Sequence, residues 1–321
     1  MSVAGLTSRG GLVTLMRRHT IFPLILLLVL LVAGIELVRP GTVTPTWISN
    51  TLLFAAPLGI LAAGQTLVML TGGIDLSVAS VATGAAYLLS TNSSSGTVLA
   101  ILIGLSLGLA VGLLNGIGIA VLRVQPLVMT LGTGLMSLGI MVVYSQTMLA
   151  SAPRVPLVIV LLGSGKIGGI LPIDLFLWVP LAALMIFALA RSGFGRLLYA
   201  IGDNRVACQL AGIRVWQVLL VDYVLCGLLA ALAGLVLVGS TNAADLSLAD
   251  VYLLPSVAAV VIGGTSIFGG RGGYAGSIVG ALILTVLNSL LTLLDAPEPI
   301  KQILYGAIIL LLAAVYTRLT E

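Results

Sequence analysis

Apolar residues in this chain neither alternate at a strand period nor recur only on one helical face. They run in blocks of about 15 to 24 residues, separated by short segments that carry most of the charge. A helix needs about 20 apolar residues to cross a bilayer, fewer where it is broken or covered by neighbours. Ten blocks meet that description, at 21–38, 48–71, 76–90, 98–121, 127–144, 175–190, 216–238, 251–267, 274–294 and 300–317. The pattern predicts an all-α, polytopic membrane helix bundle of about ten transmembrane segments. A single domain is expected over 21–318, with residues 1–20 as a cytoplasmic N-terminal segment. The first block is too long for the core of a secretory signal, and no A-x-A cleavage site follows it, so it reads as a retained helix.

Composition excludes a water-soluble globule. Of 321 residues, 60% are apolar and 7% charged, and the mean hydropathy is +1.24, whereas a soluble domain carries roughly 25% charged residues. The formal net charge of +4 comes from basic residues standing singly between apolar runs, which form no stripe able to track phosphates, so no nucleic-acid partner is expected. They report orientation instead. With ten crossings and a cytoplasmic start, Arg9, Arg17, Arg18, Arg123, Arg191, Arg196, Arg205, Arg214, Arg271 and Arg318 fall inside. Arg39, Arg154, Lys166 and Lys301 fall outside, as the positive-inside tendency prefers. Both termini are then cytoplasmic, the stretch 145–174 is external and 191–215 is internal.

Glycine marks the expected helix contacts. Gly104, Gly108, Gly112 and Gly116 recur every four residues in the fourth block, and Gly272, Gly276 and Gly280 repeat the device near the ninth, each a bare stripe for close packing. Two segments are too short for plain crossings: Leu76 to Ser90 follows Gly72-Gly73, and Tyr252 to Ile262 precedes Gly263-Gly264. Each is the third element of a five-helix half, which predicts a five-plus-five inverted repeat. That expectation rests on the order of segments, not on residue-level similarity.

Few residues carry chemistry. Asp75 follows the first glycine pair, where it either caps the next helix or faces water or solute. Asp222 lies two turns into the seventh block with no basic residue three or four positions away. Gln65, Asn115 and Asn288 fall inside blocks and suit either interhelical hydrogen bonds or a polyhydroxylated solute on a substrate pathway. Cys208 and Cys226 lack C-x-x-C spacing or a nearby histidine, and His19 flanks the first block, so no disulfide, metal site or bound cofactor is expected. Gly165-Lys166 lacks the upstream glycine and the Ser or Thr of a phosphate loop, so ATP hydrolysis is not expected of this chain. No catalytic constellation emerges, and an enzyme is not predicted.

The internal loop 191–215 has a different character. Asp203 and Asn204 can cap a short helix that Gly212 ends, presenting Ala207 and Ala211 one turn apart as a smooth docking face.

Four motifs carry a family resemblance over about residues 20–318. They are Gly64-Gln65-Thr66 running into Gly72-Gly73-Ile74-Asp75-Leu76-Ser77; Leu122-Arg123-Val124-Gln125-Pro126 with Thr130-Leu131-Gly132-Thr133; Tyr199-Ala200-Ile201-Gly202-Asp203-Asn204 to Ala211-Gly212-Ile213; and 261–272, Val-Ile-Gly-Gly-Thr-Ser-Ile-Phe-Gly-Gly-Arg-Gly. With these the chain resembles the membrane-spanning permease subunits of bacterial ABC sugar importers, the ribose, xylose and autoinducer-2 group. The resemblance implies an inner-membrane permease that pairs with a second copy or a sister chain. It also implies a cytoplasmic ATPase, which uses the ATP and contacts the 203–212 helix, and a periplasmic or lipid-anchored sugar-binding protein that delivers solute. The chain departs from many relatives at Ala79, Arg205, Cys208 and the run Tyr252-Leu253-Leu254-Pro255. An ion-coupled secondary transporter using Asp75 and Asp222 is the alternative, distinguished by whether uptake needs ATP.

Overall fold

The computed structural model describes residues 21–147 and 153–320; the expected N-terminal segment 1–20, with Arg9, Arg17, Arg18 and His19, lies outside the described residues. Thirteen helices follow in order among those residues: α1 (Ile21–Val38), α2 (Pro45–Leu70), α3 (Val78–Thr91), α4 (Thr97–Ala120), α5 (Pro126–Thr147), α6 (Leu157–Ser164), α7 (Leu175–Arg191), α8 (Gly193–Asp203), α9 (Arg205–Leu210), α10 (Val215–Thr241), α11 (Leu253–Ile262), α12 (Tyr274–Leu293) and α13 (Glu298–Thr320). One antiparallel hairpin, β1 (Lys166–Ile167) with β2 (Leu171–Pro172), interrupts the helices between α6 and α7.

The fold is all-α and polytopic. Among the described residues, α1, α2, α4, α5, α10 and α12 are long and apolar enough to cross a membrane, and α7 with α8 forms a further apolar pair bent by 67°. The expected short segments are shorter still. α3 starts at Val78, not Leu76, because Asp75 does not head the helix: its Oδ1 accepts from the backbone N–H and hydroxyl of Ser77, at 2.8 and 2.6 Å, making a tight turn first. α11 ends at Ile262, where Gly263 lies against Gly276 and Gly264 takes φ +87° to reverse the chain.

α10 is the centre of the bundle. It is apolar around its circumference and buried for most of its length, as a helix surrounded by other helices must be. α2 is covered even more completely. The two run antiparallel, since Gly64 packs on Cys226 while Thr71, seven residues on, reaches Asp222. The glycine stripe of α4 makes the tightest seam. A Cβ on Gly108 would collide with the Gly227 carbonyl, one on Gly112 would lie 2.7 Å from the Tyr223 carbonyl, and one on Gly116 2.8 Å from Leu220. Gly104 turns the same face to the Ala85 carbonyl of α3, at 2.8 Å. On the other side of α2, Gly276 and Gly280 of α12 sit against Gly263 and Ala259.

Two short stretches of the sequence resemble each other. Residues 64–79 recur at 234–249, with Gly64, Leu67, Val68, Thr71, Asp75, Leu76, Ser77 and Ala79 matching Gly234, Leu237, Val238, Thr241, Asp245, Leu246, Ser247 and Ala249. The backbone follows suit: Gly72 has φ +80° and Asn242 φ +50°, and Asp245 Oδ1 accepts from the N–H and hydroxyl of Ser247 at 2.7 and 2.6 Å. Because α2 and α10 are antiparallel, these equivalent turns stand at opposite ends of the bundle.

Gly108→Leu is expected to destabilise the protein by about 1–3 kcal/mol or to block its assembly, since α4 and α10 would have to separate. Thermal unfolding in detergent compared with wild type measures this; an unchanged profile would mean that the seam tolerates a side chain.

Candidate functional site

One end of the bundle holds a cavity of about 760 Å³, between the start of α2, the start of α11, the end of α12 and the start of α13. α2 begins there because Thr44 caps it, accepting from Trp47 N–H at 3.1 Å, and Pro45 occupies the first turn, where its missing N–H costs nothing. This places Trp47 and Asn50 on the cavity wall, opposite Tyr252, Asn288 and Tyr305. The Trp47 indole N–H donates to Ser289 Oγ at 3.0 Å, and the Lys301 ammonium donates to Thr292 Oγ1 at 2.9 Å while lying 3.6 Å from Glu298. Leu58, Pro255 and Leu284, all buried, close the floor. Aromatic faces beside amides and hydroxyls suit a small polar solute with apolar C–H surface.

Of the four expected pathway residues, only Asn288 lines this cavity. Gln65, Asp75 and Asn115 come together elsewhere, in a buried network toward the opposite end. Gln65 Nε2 donates to the Asp75 carbonyl at 2.6 Å and its Oε1 accepts the Asp75 N–H at 3.3 Å. Asn115 Nδ2 donates to Ser77 Oγ at 3.0 Å, and Thr133 donates to Asn115 Oδ1 at 2.6 Å. The network pins the turn before α3 to α2, α4 and α5, because an irregular backbone inside an apolar bundle must find its hydrogen bonds there.

The segment 191–215 forms a second candidate site at that same end of the bundle. Ser192 caps α8 by accepting from Gly195 N–H at 2.9 Å. Asp203 closes α8, and Asn204 alone caps α9, accepting from Ala207 N–H at 2.9 Å. Gly212, at φ +79°, ends α9 in a Schellman turn: its N–H reaches Gln209 O, and that of Ile213 reaches Cys208 O, both at 3.0 Å. Cys208 faces inward, while Ala207, Ala211, Val206 at 64% and Leu210 at 85% stand exposed. Gly202 of α8 lies so close to the Leu70 carbonyl and Gly270 that only glycine fits, and Tyr199 Oη donates to the Gly272 carbonyl at 2.9 Å.

Residues 47–313 match the family described as "Branched-chain amino acid transport system / permease component". The chain belongs to this permease family. It is 36% identical to the ribose import permease protein of Escherichia coli (strain K12) over 290 residues, 88% of this chain and 89% of that protein. It is 32% identical to the fructose import permease protein of Rhizobium meliloti over 81% of this chain and 74% of that one. The corresponding figures for the galactofuranose transporter permease protein of Escherichia coli (strain K12) are 34%, 80% and 75%. No solved structure matches the chain. These relatives are transport subunits, not enzymes.

In this permease the cavity wall was not legible from the sequence beyond Asn288. Trp47, two residues after Pro45 in a Thr-Pro helix start, was the available signal for an aromatic at a membrane interface. Tyr252 and Tyr305 had none, because only the tertiary fold brings them together. Asp174 is a further buried acid. Both carboxylate oxygens of Asp174, in the loop before α7, are buried without a partner among the described residues, and this burial pushes its pKa up to about 7.

The unfolded chain therefore loses the Asp174 proton near 3.8 while the folded protein keeps it to about 7, so stability falls as pH rises through that window. Asp174→Asn is expected to flatten this dependence and to raise stability near neutral pH by on the order of 1–3 kcal/mol. Melting curves of both proteins across the window measure it; parallel pH dependences would show that Asp174 finds a partner.

Proposed function

We propose that this chain is the membrane-spanning subunit of an ATP-driven importer that carries a monosaccharide or a related polyol-like solute across the bacterial inner membrane by alternating access. In this reading the helices make ten crossings: α1 to α5, α7, and α10 to α13, with both termini cytoplasmic and a single domain over 21–318. The halves form a five-plus-five inverted repeat. Its best support is the recurrence of 64–79 at 234–249 with the same Asp-Leu-Ser turn. The cavity is then the external vestibule, and Asn288 belongs to the solute path. Gln65, Asp75 and Asn115 act at the inner gate as a hydrogen-bonded brace.

The observation that carries the reading is α9. A six-residue helix capped at both ends, with Val206 and Leu210 bare to solvent and α8 locked by Gly202 to the end of α2, suits docking to a partner that moves the gate. We assign that partner as the cytoplasmic ABC ATPase, which supplies all ATP chemistry while this chain binds no cofactor or metal. A periplasmic or lipid-anchored sugar-binding protein would deliver solute to the vestibule. A second permease copy or a homologous chain completes the pair.

Ala211→Glu is expected to insert normally but to copurify poorly with the ATPase and to lose most stimulation of ATP hydrolysis by loaded binding protein, because the interface would have to desolvate a charge. Asp75→Asn should keep the complex and alter transport. Complex recovery and ATPase stimulation, measured for both in the same membranes, decide the matter; an Ala211→Glu protein that couples like wild type removes α9 as the docking helix. Uptake driven by an ion gradient without ATP would favour the secondary-transporter alternative.

Orientation has its own check. A cysteine placed at Ser164, which is exposed, should react with an impermeant reagent in intact cells, while one at Thr320 should not. The reverse pattern inverts the topology.

A further inference from the structure

Beneath the inner ends of α2 and α10 lies an acidic group that transport of a neutral solute does not call for. Asp222 of α10 is 0% exposed and Asp75 1%. Asp222 lies within range of a charge on Asp75. Three polar atoms there have no hydrogen-bond partner: Asp75 Oδ2, Asp222 Oδ1 and the Tyr223 hydroxyl. The Tyr223 hydroxyl fills the space that a side chain at Gly73 would need, two residues from Asp75, so it is held against the same turn. Among the described residues no ion pair reaches either acid. The surrounding elements contribute Gln65 and Thr71 from α2, Asn115 from α4, Thr130 from α5 and Cys226 from α10, none of them a cation. The cation whose field reaches this group is Arg205 on exposed α9, acting on Tyr223. Arg271, on the turn after α11, is exposed.

Thr71 gives Asp222 little support. Its hydroxyl oxygen lies 2.8 Å from the Val68 carbonyl and 3.2 Å from Asp222 Oδ2, yet it has one hydrogen to give. The shorter bond, to the carbonyl three residues back, takes that hydrogen. Asp222 Oδ2 therefore receives at most a long, shared hydrogen bond from Thr71 and its Oδ1 receives none, so the protein offers an ionised carboxylate almost no solvation there.

We propose that Asp222 binds a proton in this conformation, which its burial and unpartnered oxygen favour, and that the Asp222–Asp75 pair is a buried proton site that opens to water when the inner ends of α2 and α10 part. A metal ion fits less well: three unused oxygens fall short of the six or so that hard cations collect, and no group of three His, Cys, Asp or Glu side chains occurs among the described residues. The release step is simple. The carboxyl O–H bond breaks, the proton passes to a cytoplasmic water, and a carboxylate remains beside Asp75. The role of that step in transport rests on the permease reading. Ionised and hydrated, the pair repels across the α2–α10 seam and favours the parted state; reprotonation favours closure.

Infrared spectroscopy of the full-length permease in lipid nanodiscs tests the site without any partner. All samples carry Asp174→Asn, so that its titration does not interfere. The expected result at neutral pH is a carbonyl stretch of a protonated carboxylic acid, lost in Asp222→Asn and retained in Asp75→Asn. If Asp222→Asn does not fold, isotope-labelled aspartate in the parent protein must shift that band, and raising the pH must remove it. Absence of the band, or its persistence in a folded Asp222→Asn protein, overturns the proposal, as does a saturable spectral change on adding sodium that Asp222→Asn abolishes. With the ATPase added and no nucleotide present, the state in which the inner ends part, the band should weaken, and a non-hydrolysable ATP analogue should restore it. A band that stays constant while the complex forms overturns the release step and leaves the importer reading standing; failure of the complex to form counts against the importer reading alone.

Discussion

Close approach of two backbones, α4 and α10, is the constraint on which the rest of this permease depends. Lipid tails are as apolar as leucine, so burying more apolar surface does not bring helices together inside a bilayer; contact has to come from packing at short range. Glycine at 104, 108, 112 and 116 removes the side chains from one face of α4, and Gly227 does the same for α10 at the point of nearest contact. With α10 held there, α2 can lie along its other side. The cavity wall, the buried network and the turn before α3 all hang on α2.

The same seam explains how a surface helix of six residues reaches the middle of the bundle. α9 follows α8 directly, and Gly202 rests on the last carbonyl of α2 at Leu70, whose oxygen also accepts from Gly270 at 3.0 Å. Thr71 and Gly72 follow, then the Asp75 turn tied to Gln65, Asn115 and Thr133. α8 is therefore joined to the end of α2 through contacts that leave no room for a side chain, and the cavity is built on the far end of the same helix.

Much of this was legible in the sequence, and the limits have physical causes. The apolar blocks, the α4 stripe and the capped helix at 204–212 come from local rules: bilayer thickness, a four-residue glycine period, and side chains that mimic backbone acceptors. What escaped was long-range or disguised. Asp203 and Asn204 are both good caps, and only the preceding helix shows that Asp203 ends α8 while Asn204 begins α9. Gln65 and Asn115 suited interhelical hydrogen bonds as well as a solute path, and only the fold shows that both bond to the turn of Asp75 and Ser77 before α3. The recurrence of 64–79 was hidden because Asn242 stands for Gly72; both residue types tolerate positive φ, so the backbone is shared where the letters differ.

That recurrence also separates geometry from chemistry. Asp75 and Asp245 make the same turn with Ser77 and Ser247, with bond lengths alike to 0.1 Å. Asp245 lies in the open loop after α10, where the Ser247 hydroxyl and N–H hold its carboxyl below the usual range and water solvates whatever the turn leaves unpaired. Asp75 carries the same two bonds into the interior, where its second oxygen meets no donor. One motif is therefore an ordinary solvated loop at one end and a source of unspent electrostatic cost at the other. The difference arises not in the turn but in what surrounds it: α4 and α5 close over the first copy, while the second remains open to water. The two turns share their backbone and their hydrogen bonds, and the difference between them enters through solvation alone.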